Sequence, residues 1–149
     1  MLTDAQARKR YDTSKPFTVL LGSATHPHCF LEFSGKRSVS VDFLDQQLRM
    51  YLSYSFQEKR PNEFFVSMAS THEYLLDTDQ MVRGDVFYFN VDGHVYVDHC
   101  TIDLQTNKSM LESAEEHDID VTNNWEPFPE FGHYEGMATI NRHIPLFNV

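Results

Sequence analysis

The chain has little of what would mark several common protein classes. It holds only two cysteines, Cys29 and Cys100, too few for a disulfide scaffold. Its apolar runs are short, as at Val19–Leu21, against the ~20 residues a membrane-spanning helix needs. No apolar stretch follows the basic cluster in MLTDAQARKRYDTSKP, so no secretory signal is expected, and a cytoplasmic protein is. Neither G-x-G-x-x-G nor G-x-x-x-x-G-K-[ST] occurs, which removes the two best-known phosphate cradles. G-x-S-x-G is missing too, and with it the nucleophile elbow of hydrolases. Basic residues are scarce: 12 Lys and Arg stand against 22 Asp and Glu, a formal net charge of −10. That balance argues against nucleic acid as a partner and for a basic one. What is present is aromatic. Twelve Phe and seven Tyr in 149 residues supply a real core and argue against disorder. No linker divides the chain, so residues 1–149 read as one globular domain.

The pattern along the chain is mainly that of strands. Residues 1–16 form a polar lead-in, with a short helix expected over Asp4–Tyr11 and closed by Pro16. Phe17–Gly22 reads as a buried strand. Cys29–Phe33 and Arg37–Phe43 flank Ser34-Gly35-Lys36, a hairpin turn. In the second of these, Val39, Val41 and Phe43 share one face. Leu48–Phe56 alternates with period two, which favours a strand over the competing helical spacing of Leu44, Leu48, Tyr51 and Leu52. Pro61-Asn62 turns the chain into Glu63–Ala69. Thr71–Val82 is polar and is expected to be a loop or a single helical turn. The run VFYFNVDGHVYVDHCTIDL, residues 86–104, carries Asp92-Gly93 between strand formers, the mark of a two-residue hairpin in which Val91 faces His94 and Phe89 faces Tyr96. Ser109-x-x-Glu112 fits a helix capping box, with Met110, Leu111, Ala114 and His117 as a narrow apolar stripe. Residues 120–149 read as an acidic, aromatic C-terminal arm of irregular structure or short edge strands. The expected class is α+β, a mostly antiparallel sheet of about five to seven strands with one or two helices.

Charge is segregated along this plan. Residues 1–75 carry nine Lys and Arg and eight Asp and Glu, whereas residues 76–149 carry three and 14. From Ser109 to Asn141 there are eight acids and no Lys or Arg. These acids are interleaved with Trp125, Phe128, Phe131 and Tyr134 in NWEPFPEFGHYEG. Such a patch keeps a protein dispersed in water. It also suits a docking surface, because aromatic anchors ringed by charge give affinity while the field speeds encounter. The residues expected to meet a partner are Glu112, Glu115, Glu116, Asp118, Asp120, Trp125, Glu126, Phe128 and Glu130.

Signals for catalysis or metal binding are sparse. His28 and His99 each adjoin a cysteine, but neighbours on a strand point to opposite faces, so neither is placed as its base. His26-x-His28 could present two imidazoles on one side of an extended segment. His94 and His99 face opposite sides of one strand, and His133 and His143 fall in the arm. No Cys/His spacing matches a zinc template, so neither a metal site nor a cofactor is expected. The acid pairs Asp77/Asp79 and Asp118/Asp120 sit in polar surroundings, and acid–base chemistry would need one member of a pair buried.

The size, the acidity and the stretch Asn62–Leu104, a strand (EFFVSMA), a polar excursion and then the long hairpin, resemble the small acidic immunity proteins of bacterial toxin systems, such as those of contact-dependent growth inhibition. The resemblance implies a non-catalytic cytoplasmic protein that binds a cognate toxin domain, often a basic nuclease, and blocks its active site or substrate surface. It carries no functional residue over by motif. A different reading from the same aromatics is a barrel-like binding protein or enzyme, its pocket lined by Tyr51, Tyr54, Phe56, Phe87, Phe89 and Tyr96. An edge strand such as Leu48–Phe56 would also serve a homodimer.

Overall fold

Alternating apolar and polar residues dominate the chain, and the backbone follows them into extended structure. The computed structural model describes residues 2–142. The expected arm is therefore seen as far as Arg142, and His143 with the rest of 120–149 lies outside the described residues. One α-helix, α1 (Asp4–Asp12), opens the chain. The Thr3 hydroxyl accepts from the Gln6 backbone N–H, and Gln6 reaches back to the Thr3 N–H, a reciprocal cap that fixes the helix start.

Nine strands then form one antiparallel sheet. They are β1 (Phe17–Gly22), β2 (Pro27–Phe33), β3 (Ser38–Leu44), β4 (Met50–Arg60), β5 (Glu63–Tyr74), β6 (Met81–Phe89), β7 (Val95–Asp103), β8 (Lys108–Glu116) and β9 (Trp125–Pro127). The first eight lie side by side in chain order. Strand β9 pairs Glu63–Phe65 of β5, continuing the line that β6 occupies further along from Met68. The α+β class and the antiparallel sheet are as the sequence suggests, but the strands outnumber the expected five to seven. Among the described residues no helix is long and apolar enough to cross a membrane.

One face of the sheet carries the core. Leu31 and Phe33 on β2, Val39, Val41 and Phe43 on β3, Tyr54 and Phe56 on β4, Phe87 on β6 and Val95 and Val97 on β7 are all buried. Register places them opposite one another, as in Phe33↔Val39, Val39↔Phe56 and Phe87↔Val97, so each row buries itself against its neighbours. The segment after β8 covers this face. Phe128 touches Phe33 on β2 and Phe64 on β5, with ring centroids 6.0 and 5.1 Å apart. A single ring thereby reaches strands three positions apart in the sheet. Tyr11 of α1 stacks on Phe128 and donates its hydroxyl proton to the Pro129 carbonyl, which ties the helix to the same cover.

Arg142 fastens the far end. Its guanidinium donates to Glu126 Oε1 and to the Asn123 and Gly136 carbonyls at 2.6–2.7 Å. It also lies 4.9 Å from the Phe56 ring centre, and its side chain is 3% exposed. Beside it, Tyr54 donates its hydroxyl proton to the Ile140 carbonyl at 2.7 Å. Burial pushes the Tyr54 phenol up to about 12, although the Arg142 cation pulls the other way.

Several local expectations are corrected. The segment Thr71–Val82 is strand at both ends and loop only over 75–80: β5 runs on to Tyr74, whose hydroxyl donates to the Met50 carbonyl at 2.7 Å, and β6 begins at Met81. Leu48 is not in a strand. It sits at φ 62° in the turn before β4, so β4 starts at Met50, and it is an interior strand between β3 and β5 rather than an edge. The Asp92-Gly93 hairpin has a three-residue loop. The Asn90 N–H donates to the His94 carbonyl and the Gly93 N–H to the Asn90 carbonyl, with Gly93 at φ 86°. This is the turn-plus-bulge form of hairpin, and it pairs Phe89 with Val95 instead of Tyr96. A Cβ on Gly93 would meet the Ile119 carbonyl oxygen at 2.6 Å, so glycine is required there for space as well as for conformation.

The largest correction is β8. Residues 109–117 do not form the helix that the capping box suggests, and the segment Lys108–Glu116 pairs with β7 from Asp103↔Lys108 to Val95↔Glu116. The turn before it decides the matter. The Asp103 carboxylate accepts from the Gln105 and Thr106 N–H groups and from the Thr106 hydroxyl, and Asn107 adopts φ 52°. Such a turn reverses the chain onto β7, whose free edge supplies a full ladder of partners.

Candidate functional site

The exposed outer hairpin carries Glu112, Glu115 and Glu116 of the residues expected to meet a partner, and the loop after it carries Asp118 and Asp120. Every residue of β8 is exposed, so neither of its faces is buried. On the described residues its far edge is unpaired, so it offers both side chains and a row of backbone groups. Glu112 and Glu116 fall on the face that carries the core elsewhere in the sheet, because they sit opposite His99 and Val95. Glu115 lies on the other face, opposite Tyr96. Asp118 and Asp120 follow, both exposed. Asp118 has φ 60°, and the Asp120 carboxylate accepts from the Thr122 N–H at 2.9 Å. Glu130 is exposed in the arm.

The three remaining members of the set are turned to other tasks. Trp125 packs on Phe65 with centroids 4.9 Å apart, and the Arg60 guanidinium lies 4.6 Å from the Trp125 ring centre. Glu126 is the ion-pair partner of Arg142 at 2.7 Å. Phe128 packs against Tyr11, Phe33 and Phe64. These three hold the arm on the sheet, and the acids of the hairpin and the loop after it stand apart from them.

The aromatics proposed to line a barrel pocket do not surround one. Tyr54, Phe56, Phe87 and Phe89 are buried in the core, Tyr51 is half-buried, and Tyr96 is exposed. A groove of about 800 Å³ does exist, but it lies between α1, β1 and the arm, where Phe17, Leu20, Phe33, Phe131 and Tyr134 contribute to its walls.

The cysteines are kept apart and unbonded. Cys29 is buried on the core face, and burial pushes its thiol up to about 12, with Asp42 adding to the effect. That thiol is protonated at neutral pH and inert as a nucleophile. His99 donates from Nδ1 to Asp85 at 2.8 Å, and Arg83 reaches the same carboxylate at 3.4 Å. This side-chain network lies on the strand interior and satisfies three polar groups together. His26 contacts the Thr25 hydroxyl, and neither it nor His28 meets a third ligating group among the described residues.

One cluster of ligating side chains does assemble. His94, Glu115 and His117 bring their ligating atoms within 4.8 Å of one another. His94 Nε2 is 3.4 Å from Glu115 Oε2, and the His94 ring stacks on His117 at 4.2 Å and against Tyr96 at 4.3 Å. The strand explains the meeting. Glu115 and His117 are two apart, so an extended backbone turns both to the face of Tyr96 and His94. On a helix the same spacing would separate them by more than half a turn. The sequence signal was therefore Glu-x-His on a strand, hidden by reading the segment as a helix. No protein-family model, no curated protein and no solved structure matches the chain.

Proposed function

We propose that this chain is a non-catalytic, cytoplasmic inhibitor of the immunity-protein kind, which binds a cognate basic protein, such as a nuclease toxin domain, through the acidic β7–β8 hairpin and the loop after it. The observation that carries the reading is β8 itself. It is an edge strand exposed on both faces, it holds Glu112, Glu115 and Glu116, and Asp118 and Asp120 extend the charge beyond it. Natural proteins load edges with charge to stop indiscriminate strand pairing. Here the charge is nearly all of one sign, which selects for a cationic partner and speeds its approach. The backbone edge adds a second means of recognition, since a partner's strand can extend the sheet.

The test begins with affinity capture of the chain's partner at low and high salt. It then compares wild-type protein with a variant carrying Glu112→Lys, Glu116→Lys, Asp118→Lys and Asp120→Lys. The expected result is a basic partner whose activity falls when the wild-type protein is added. Its affinity should drop about 100-fold or more in the variant, with a shallower dependence on salt. Unchanged affinity together with an unchanged salt slope would remove the hairpin from the interface.

A further inference from the structure

We propose that His94, Glu115 and His117 form a binding site for one divalent transition-metal ion of the zinc type. The donor set is two imidazoles and a carboxylate, which suits zinc and its neighbours better than magnesium or calcium. The spacing fits as well. His94 Nε2 and Glu115 Oε2 stand 3.4 Å apart, outside the ~2.7–3.2 Å of a good N–H···O bond. Two ligands bound tetrahedrally at ~2.0–2.1 Å lie roughly 3.3 Å from each other, so the observed gap matches a shared metal.

A second observation points to a ligand at the same place. His94 Nε2 is shielded from solvent and has no hydrogen-bond partner. A polar atom left in that state carries a free-energy cost, which an ion at this position removes. His94 is held in place on one side by the Tyr96 ring and through its backbone by the Asn90 pairing. Glu115 and His117 are exposed and free to rotate onto the ion. The stacked His117 ring has only to swing about its side-chain torsions to point a nitrogen at the position between the other two ligands. Three protein ligands leave a fourth position for water or for a group from another molecule. The site ties the β6–β7 loop to the end of β8, so the ion would stiffen the outer hairpin where no apolar packing does so.

The inference shares Glu115 with the docking reading but does not rest on it, and its test needs no partner. Protein freed of metal with a chelator is titrated with zinc by calorimetry, and with cobalt while its visible absorption is followed. The expected result is one ion per chain, the strong visible bands of tetrahedral cobalt, and a higher melting temperature at saturating zinc. His94→Ala, His117→Ala and Glu115→Gln should each weaken binding by more than the ~10- to 100-fold that loss of an outer-shell partner costs, and His26→Ala should leave it unchanged. Glu115→Gln preserves size at an exposed position, so it keeps the test meaningful if a histidine variant folds poorly. Absence of saturable binding, one ion per two chains, or binding that follows His26 instead of His94 would each overturn the assignment.

Discussion

Strands β2 to β5 and the hairpin β7–β8 use the same antiparallel pairing, yet they are different materials. In the first region, Leu31, Val41, Tyr54 and Phe56 are sealed from water, and the arm lies over them. In the second, β7 loses its buried positions after Val97 and β8 has none at all. Backbone hydrogen bonds to β7 keep β8 extended, helped by a few cross-strand contacts such as the Ser113 hydroxyl on Asp98 at 2.6 Å. The comparison separates two jobs of a sheet. Pairing determines where a segment runs, while burial on one face supplies most of the stability. A rim that contributes little stability is free to carry charge and ligands.

The sharpest way to break this contrast is to cut matched side chains from the two regions. Phe56→Ala should cost about 3–5 kcal/mol, because a buried ring is replaced by a cavity. Leu111→Ala on β8, where the side chain is 66% exposed, should shift stability by less than about 0.5 kcal/mol. Urea unfolding of both variants checks the pair, and equal losses would show that the rim is structural after all.

Arg142 comes next, since it belongs to the cover and not to the sheet. Arg142→Ala leaves Glu126 without its cation and opens three hydrogen bonds. Breaking a fully buried ion pair costs about 3–5 kcal/mol, and the partial exposure of Glu126 reduces this to about 2–3 kcal/mol. Trp125 emission should move to longer wavelength as the arm loosens. Arg142→Lys should recover little, because an ammonium cannot reproduce the planar fork that meets three acceptors.

The smallest effect is in the pH response. Burial holds the Cys29 thiol and the Tyr54 phenol in their protonated forms. Their folded values, each about 12, lie above the unfolded 9.0 and 10.0. Their contribution is therefore fully present below pH ~9 and is lost as pH rises toward about 12. His72 behaves in the opposite sense: burial lowers its value from 6.5, with Asp42 opposing. Its contribution is present above pH ~6.5 and is lost as pH falls below that value. Urea midpoints measured across this range should decline at both ends. Cys100, half-buried on the outer region, should react with a thiol reagent in the folded protein, whereas Cys29 should react only on unfolding.

The same contrast decides what was legible in the sequence. The strands whose faces are buried announce themselves: Phe17–Gly22 is a strand over its expected bounds, and Val39, Val41 and Phe43 share the core as their spacing predicts. Burial writes a period of two into the residue order. Strand β8 has no buried face, so KSMLESAEE keeps the helix-forming composition of any exposed segment, and only the Asp103–Asn107 turn betrays its direction. The hairpin at Gly93 was visible but its register was not, because one bulge residue shifts every pair after it. The acids of the rim could be named from composition, whereas the tasks of Trp125, Glu126 and Phe128 depended on which partners the fold would bring beneath them. The meeting of His94 with His117 was hidden for the same reason as β8.

The order of the sheet has a consequence for how the chain is made. Each of the first eight strands pairs with its neighbour in sequence, so the sheet can assemble from the N-terminus as synthesis proceeds, with short loops to close at each step. Its cover comes last, since Trp125, Phe128 and Arg142 follow every strand they protect or fasten. A nascent chain released before Arg142 would therefore display rows of Phe, Tyr and Val to other chains, with nothing yet to lay over them. Truncated products of this protein are expected to be aggregation-prone and to require chaperones.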